Sequence, residues 1–359
     1  MIPKEESFEK GLISVVMSNY NTPVRLLKEA IDSVLEQTYT DFEFIIIDDG
    51  STDDSKKLIQ SYSDPRIKLI CNDRNMGLAR SLNKGFELCR GEYIARMDSD
   101  DICMPERFAE QVAYLKNNPD VIVCGTFVEY INDSGGPIDN PGGNYIITDM
   151  DCYRICLLFG NSPPIYHPTA MFNRKLVILH HIKYHEEYRY AQDYRMWVSC
   201  SEYAKCANVQ KYLLKYRVHE KAISTFKYNE QNDCAVRVIQ EQLAPLHLDL
   251  PQDIRSVHFG YLRRGNGIGF STKLNEWIKK IIKSNKKYKV YHQKKLERIL
   301  LTRLAYFCYL ESKNYGLIMR CYLLKQLPIK SKIALLRFLF LGDNNIVYNR
   351  FEGTIGKKP

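Results

Sequence analysis

Apolar residues follow two alternating rhythms over the first 131 positions. Leu12–Met17, Leu-Ile-Ser-Val-Val-Met, is a short β-branched run of the kind carried by a strand buried on both faces. Past Ser18-Asn19-Tyr20-Asn21, the residues Val24, Leu27, Ile31, Val34 and Leu35 recur at helical spacing to about Gln37. Thr22 and Pro23 ahead of them read as a helix cap with proline at the first helical position. Phe42–Ile47 predicts a second buried strand. It runs into Asp48-Asp49-Gly50-Ser51-Thr52-Asp53, where Ser51 or Thr52 is expected to cap a helix through Tyr62. Ile67–Cys71 and Tyr93–Met97 predict the third and fourth strands, Gly77–Cys89 and Pro105–Asn117 the helices that follow them, and Val121–Ile131 a fifth strand.

Strands alternating with helices of this length imply right-handed crossovers and a mostly parallel α/β sheet with helices on both faces. Ligands of such sheets bind outside the carboxyl ends of the strands. Three polar clusters fall at those ends: Ser18–Asn21, Asp48–Asp53 and Asp98–Asp101. They are expected to converge on one crevice.

The pattern then becomes mixed. Ser134–Gly143 reads as a loop, Asp151–Phe159 as a helix and Gly160–Pro164 as a turn before Ile165-Tyr166-His167-Pro168. Ala191–Tyr203 predicts a helix, Ala207–Val218 a strand and Tyr228–Leu243 another helix. From about Leu274 the chain reads as helical and basic, broken near Pro328. The expected organisation is an α/β body over 1–260 followed by a mainly helical, basic region over 261–359.

Charge sharpens that division. The 359 residues carry a net +9, but 261–359 holds 22 Lys and Arg against 5 Asp and Glu, a net +17, which leaves −8 on the first 260. A split of this kind points the basic end at an anionic partner. The 45% hydrophobic and 26% charged residues are ordinary for a globular protein. Eleven cysteines are scattered and odd in number, with no Cys-x-x-Cys pair, so neither a disulfide framework nor a zinc ribbon is expected. The opening Met-Ile-Pro-Lys-Glu-Glu-Ser does not read as a signal peptide, and no run of about 18 apolar residues is present to span a bilayer. The expected setting is the reducing cytoplasm.

The chemistry concentrates in Tyr93–Asp101, Tyr-Ile-Ala-Arg-Met-Asp-Ser-Asp-Asp, a buried strand that ends in Asp98, Asp100 and Asp101. Such a cluster suits a hard cation, Mg²⁺ or Mn²⁺, which prefers oxygen ligands and often carries a diphosphate. A solvated acidic turn ahead of the helix after Pro105 is the competing reading. The turn after the first strand has none of the glycines that dinucleotide binding needs, Gly265-x-Gly267-x-Gly269 lies out of place, and no phosphate-cradling Gly-x-x-x-x-Gly-Lys-Ser/Thr occurs. A phosphate-bearing ligand would then be held through a metal.

Four segments carry a specific resemblance: Ser14–Asn21 (Ser-Val-Val-Met-Ser-Asn-Tyr-Asn), Asp48–Asp53, Asn75–Gly85 (Asn-Met-Gly-Leu-Ala-Arg-Ser-Leu-Asn-Lys-Gly) and Asp98-Ser99-Asp100-Asp101. In this order and spacing the first 130 residues resemble a family 2 glycosyltransferase of the GT-A (Rossmann-like) fold, and the match thins out to about residue 225. The resemblance implies a nucleotide-binding half over 1–131 and an acceptor-side half over 132–260. It implies that Ser18, Tyr20 and Asp49 hold the base and ribose, with uridine favoured, that Arg80 approaches the diphosphate, and that Asp98 and Ser99 line the nucleotide-sugar site. Asp98 and Asp100 would bind Mn²⁺ or Mg²⁺, with Asp101 as a helper and His219, in Tyr216-Arg217-Val218-His219, as a further ligand. Asp48 reads equally as a strand-end residue, and Gly77 and Gly85 as backbone and packing positions.

Inverting transfer to a hydroxyl also needs a carboxylate base. The family's Glu-Asp pair falls here on Gln192-Asp193, so Asp193 is the candidate base and Gln192 a departure that alters acceptor contacts. His167 lies in a segment that resembles the family's acceptor side, whereas His180, His181 and His185 have no metal-ligand spacing. The implied partners are a nucleotide-sugar donor and a saccharide or lipid-linked saccharide acceptor, in assembly of a bacterial surface polysaccharide. Two alternatives stand beside the transferase: a non-catalytic nucleotide-sugar or carbohydrate-binding protein on the same fold, and a nucleotidyltransferase. The basic segments Leu296–Leu310, Gly316–Leu327 and Ser331–Leu341 fit amphipathic helices on an anionic membrane, which would make the protein peripheral at the inner face of the plasma membrane. They fit equally a packed helical bundle with a solvated basic face. No recognition motif for nucleic acid accompanies the charge.

Overall fold

A computed structural model of the chain describes residues 8–138, 144–147, 149–159, 165–218, 228–259, 270–312 and 355–357. In chain order the elements are β1 (Glu9–Asn19), α1 (Val24–Leu35), β2 (Phe42–Asp48), α2 (Ser55–Gln60), β3 (Ile67–Cys71), α3 (Leu78–Leu88), β4 (Gly91–Met97), β5 (Ile102–Cys103), α4 (Arg107–Asn117), β6 (Val121–Ile131), β7 (Tyr145–Ile147) and α5 (Met150–Leu157). They continue with β8 (Met171–Asn173), α6 (Arg174–Leu179), α7 (Gln192–Tyr203), β9 (Lys205–Arg217), α8 (Tyr228–Leu243), α9 (Gln252–Phe259), α10 (Phe270–Tyr288), α11 (Gln293–Ser312) and β10 (Ile355–Lys357).

Eight strands form one sheet in the order β3-β2-β1-β4-β8-β6-β9-β5. β1 is central and apolar, with Ile13, Val15, Val16 and Met17 fully buried, as a strand covered on both faces requires. It pairs in parallel with β2 and β4, β2 with β3, and β6 with β9. The parallel expectation misses two strands. β8 runs antiparallel to both β4 and β6, and β5 antiparallel to β9. Strands of three and two residues are too short to show a period, so tertiary pairing alone defines them.

Both capping expectations are corrected. Pro23 occupies the cap position of α1 with no side-chain bond, and Thr22 Oγ1 instead lies 2.7 Å from Ser99 Oγ. Asp54 occupies the cap position of α2, and Ser51 Oγ accepts from Asn19 Nδ2 and the Asn21 N–H, both at 3.1 Å. These hydroxyls link strand ends because polar groups on neighbouring parallel strands face them there. Two glycines are held by space. A Cβ on Gly85 would stand 2.4 Å from Val16 Cγ1, where α3 packs on β1. Gly50 has φ +74°, and a Cβ there would meet the Arg74 carbonyl carbon at 2.5 Å.

The chain divides into two compact units, residues 1–144 with 164–231, and 145–163 with 232–359. The division therefore does not fall at 260. Segment 145–163 is tied to the later helices by Lys295 Nζ, which pairs with Asp149 at 2.6 Å and Asp151 at 2.7 Å. In the same unit His258 accepts from Trp277 Nε1 at 2.9 Å through Nδ1 and donates to the Leu158 carbonyl at 2.9 Å through Nε2. Leu274, Trp277, Ile278 and Ile281 on α10, and Leu296, Ile299, Leu300 and Leu304 on α11, are buried. Over its described part, the apolar stripe expected from 296 onward is thus used in packing. The segments 316–327 and 331–341, Pro328, the turn 160–164 and residues 139–143 of the expected loop lie outside the described residues. Among the described residues no helix is long and apolar enough to cross a membrane.

The close approach at Gly85 carries a direct prediction. Gly85→Ala should destabilise the protein by about 1–3 kcal/mol through overpacking against Val16. Val16→Ala should restore part of that loss in the double variant, read as coupling between the two changes in urea unfolding.

Candidate functional site

The pairing of β1 with β2 and β4 sets the polar strand ends side by side. Asn19 is opposite Asp48, and Met17 opposite Met97, the residue before Asp98. Asn19 Nδ2 donates to Asp48 Oδ1 at 2.9 Å and Ser55 Oγ at 3.0 Å, as well as to Ser51. Asp48 is buried, so it acts as a strand-end anchor. Asp49, also buried, accepts from Asn72 Nδ2 at 2.8 Å and the Met76 N–H at 2.9 Å on one oxygen, and from the Gly77 N–H at 2.8 Å on the other. It therefore closes the turn that leads into α3, where Gly77 has φ +92°. Ser18 sits half-buried beside these groups, and Tyr20 is 48% exposed at the rim. Through the Thr22–Ser99 bond this group is joined to the acidic loop. All three polar clusters meet.

Asp98, Asp100 and Asp101 offer oxygens that all lie within 4.8 Å of one another. Burial pushes the Asp98 carboxyl up, while the Arg96 guanidinium pulls it back and the Asp100 charge adds to the rise. Burial, then the Asp100 and Asp98 charges, push Asp101 well above the usual carboxylate range. One Asp101 oxygen accepts the Arg217 N–H at 2.7 Å, and the other is buried with no hydrogen-bond partner among the described residues. An orphaned buried oxygen among clustered carboxylates fits a hard divalent cation, which prefers all-oxygen sites. The donor set is therefore suited to Mg²⁺ or Mn²⁺.

Two arginines frame the triad, and neither stood out in the sequence as a functional residue. Arg96 is 1% exposed and ion-paired through Nη2 with Asp98, yet its Nε and Nη1 have no hydrogen-bond partner among the described residues. Arg217, also buried, uses every nitrogen. Its Nε donates to the Asp100 carbonyl at 2.7 Å, Nη1 to the carbonyls of Asn132 at 3.0 Å and Asp133 at 2.9 Å, and Nη2 to Glu29 at 2.6 Å. It staples the acidic loop to β9, to the turn after β6 and to α1. Arg96 did leave a signal, because an arginine inside a strand that reads as buried must find a counter-charge.

The reversed direction of β8 completes the arrangement. Ala95 is paired with Met171, so the segment before β8, His167–Thr169, arrives beside the carboxyl end of β4. His167 Nε2 lies 2.8 Å from Tyr184 Oη, and burial, with Arg96 adding to it, holds the imidazole well below its ordinary pKa. Asp193, in the first turn of α7, has its carboxyl raised by burial and by the Asp98 charge, against the pull of the Tyr194 N–H and Arg96. Its Oδ1 accepts that N–H at 2.7 Å, and its own backbone N–H also bonds the carboxyl. A half-buried carboxylate with a raised pKa has the features of a general base. Gln192 beside it has a buried Oε1 with no partner. Arg80 does not reach the triad and pairs with Glu186, its Nε donating at 2.7 Å, both side chains being largely exposed. His180 stacks on Tyr203 and His185 lies against Glu187, at a distance of 3.3 Å. His219 lies outside the described residues.

Comparison with known proteins bears on the family and the fold. A family model described as glycosyl transferase family 2 matches residues 14–179. An uncharacterized glycosyltransferase of Haemophilus influenzae is 32% identical over 305 residues, 82% of this chain and 90% of that one. The O-antigen biosynthesis glycosyltransferase WbnJ of Escherichia coli is 32% identical over 245 residues, covering 65% of this chain and 89% of its own. Among solved structures, S. aureus TarS 1–349 in complex with UDP-GlcNAc superposes with a TM-score of 0.56 at 19% identity, over 86% of this chain and 91% of that one, a likeness of GT-A fold. The family match and the identity across most of the H. influenzae protein establish that this chain belongs to glycosyltransferase family 2.

Proposed function

We propose that the chain is a metal-dependent, inverting glycosyltransferase that moves a sugar from a UDP-sugar to a hydroxyl acceptor in surface polysaccharide assembly. The observation that carries this reading is the meeting of three polar strand ends at a carboxylate triad, whose Asp98 charge acts on Asp193. Relatives named for amylovoran and O-antigen biosynthesis support the pathway class, and the TarS complex with UDP-GlcNAc supports a uridine diphosphate donor. Ser18, Tyr20 and the turn clamped by Asp49 would receive the nucleoside. Asp98 and Asp100, with Asp101, would hold Mn²⁺ or Mg²⁺, Ser99 would line the sugar side, and Arg80 would reach the diphosphate by leaving Glu186. His219 would supply a further ligand. The acceptor is a saccharide or lipid-linked saccharide, and the basic 261–359 region would meet the anionic membrane that carries it. The alternatives of a binding module and a nucleotidyltransferase have no observation in their favour.

In this mechanism Asp193 Oδ2 accepts the proton of the acceptor hydroxyl as that oxygen attacks the anomeric carbon, opposite the bond to the diphosphate. That bond breaks and its electron pair leaves with UDP. The divalent ion, when bound, offsets the charge growing on the departing diphosphate. Burial of Asp193 serves the reaction because it raises the basicity of the carboxylate and lets the proton be held during transfer.

The following measurements test the reading. Isothermal titration with UDP should show binding that largely requires Mn²⁺, and Asp100→Ala should lose the metal-dependent part; equal affinity in the variant would remove the metal assignment. Asp193→Asn should keep UDP–Mn²⁺ binding and lose about 10²–10⁴-fold in turnover. Because the Asp193 pKa is raised, wild-type turnover should fall as pH drops through a value above that of an ordinary aspartate, and a flat acid limb would contradict the base role. Asp101→Asn should raise the melting temperature of the metal-free protein at neutral pH, since it removes a buried charge while keeping an acceptor for the Arg217 N–H. The folded-state pKa of Asp101 lies above its unfolded value, so this advantage should shrink as pH falls and the wild-type carboxyl takes up its proton. Mn²⁺ binding should weaken in the same variant.

A further inference from the structure

Helix α10 is divided along its length into an apolar side and a cationic side. Leu274, Trp277, Ile278, Ile281 and Asn285 are buried, whereas Lys273, Lys279, Lys280, Lys283, Lys286 and Lys287 are exposed. At 3.6 residues per turn the six lysines share one arc of about 140°, nearly opposite the buried stripe, and extend about 21 Å along the axis. Glu276, the sole acid of the helix, lies on the same arc. Lys273 pairs with Asp253 at 3.7 Å and Lys286 with Glu297 at 3.4 Å. Lys279, Lys280, Lys283 and Lys287 take no ion pair among the described residues, so most of this charge is free to meet an outside partner.

The end of the face is held rigidly. Asn285 Nδ2 donates to the Tyr291 carbonyl at 2.9 Å and to Gln293 Oε1 at 2.7 Å, while its Oδ1 accepts the Tyr291 N–H at 2.8 Å. That clamp fixes the turn carrying Lys287, Tyr288 and Lys289. Tyr288 is 36% exposed and stacks on His247 with ring centroids 4.1 Å apart, and Lys287 Nζ stands 4.9 Å from the tyrosine ring. An amphipathic ring beside lysines suits a boundary between water and lipid.

The apolar stripes of α10 and α11 are consumed in packing, so this part of the basic region has charge to offer a membrane and no apolar face to insert. Deepening the reading above, in which the basic region meets a membrane, we propose that the lysine face of α10 is a docking surface for an anionic bilayer. It is held by attraction to headgroup phosphates, with the helix lying on the surface. A straight row of point charges matches a plane of headgroups. Nucleic acid fits less well, because α10 has no arginine, the side chain that grips phosphate bidentately and stacks on bases. The attraction fades beyond about 8 Å at physiological salt, so the placement of the lysines on one face matters as well as their number.

The test uses the full chain and sedimentation with vesicles of phosphatidylcholine, alone or mixed with phosphatidylglycerol. Wild type should bind the anionic vesicles only, and should be released as salt rises from about 0.1 M to about 1 M, which shortens screening from about 10 Å to about 3 Å. Changing Lys279, Lys280 and Lys283 together to Glu should weaken vesicle binding at least about 10²-fold, at about fivefold per lysine removed. The same three changed to Gln should lose less. A control with Lys10→Glu, Lys116→Glu and Lys175→Glu, exposed lysines elsewhere, makes the same change in net charge and should keep most of the binding. Indifference of wild type to anionic vesicles overturns the proposal, as does binding that survives 1 M salt or an equal loss in the control. Release from the vesicles by a single-stranded oligonucleotide at equal phosphate concentration would assign the face to nucleic acid instead. Titration with UDP and Mn²⁺ on the same preparations separates the two readings. Binding of UDP without binding of vesicles removes the docking face alone, and binding of vesicles without UDP removes the transferase reading and leaves the face standing.

Discussion

Asp101 is buried and Asp98 and Asp193 are half-buried, and burial raises the pKa of each carboxyl. Removing an ion from water costs several kcal/mol even after relaxation, unless a partner of opposite sign lies close by. Within the triad's neighbourhood that partner is first Arg96, ion-paired with Asp98, and the Arg107 guanidinium also draws the Asp98 carboxyl down. Burial still outweighs these cations, since the carboxyls of Asp98, Asp101 and Asp193 all stay raised. Strain of this kind lowers the stability of the empty fold and raises its affinity for cations, the usual exchange at a site built for a ligand.

The remainder of the fold keeps that charge in place. Arg217 fastens the Asp100–Asp101 backbone to three separate parts of the unit with bonds of 2.6–3.0 Å. Arg107, fully buried, donates through Nη2 to the Arg96 carbonyl at 2.8 Å and through Nε to Gln111 at 3.0 Å, which steadies β4 from behind. Asp49 clamps the turn opposite. The acidic loop is thus held by backbone-directed bonds, which fix position without adding an exposed charge to the crevice. A loop so constrained can bring several like charges together because few of its degrees of freedom remain for them to repel along.

Much of this was legible from the chain. The β-branched runs and helical spacings placed β1, β2, β3, β4 and β6 to within a few residues, because strands buried on both faces have little choice of side chain. The convergence of Ser18–Asn21, Asp48–Asp53 and Asp98–Asp101 followed from parallel pairing alone. What escaped was set by long-range geometry. β5 and β8 are too short for a period, and Thr22 and Ser51 follow capping patterns but serve strand-to-strand contacts instead. Arg217 looked like one basic residue among many before it was seen beside residues more than a hundred positions away. The compact units also depart from the charge boundary, because Lys295 and the α10–α11 core draw 145–163 away from the segments that flank it in sequence.

The reversed strand β8 also acts as a spacer. With strands about 4.8 Å apart, its insertion sets β4 and β6 roughly two strand widths from each other. The width between their carboxyl ends, which the His167–Thr169 segment enters, is therefore a property of backbone topology, and side chains decorate a width they do not create. Substitution can change which molecule is recognised there while the span stays constant. One scaffold of this kind can diverge widely in specificity through its loops and never have to rebuild its frame.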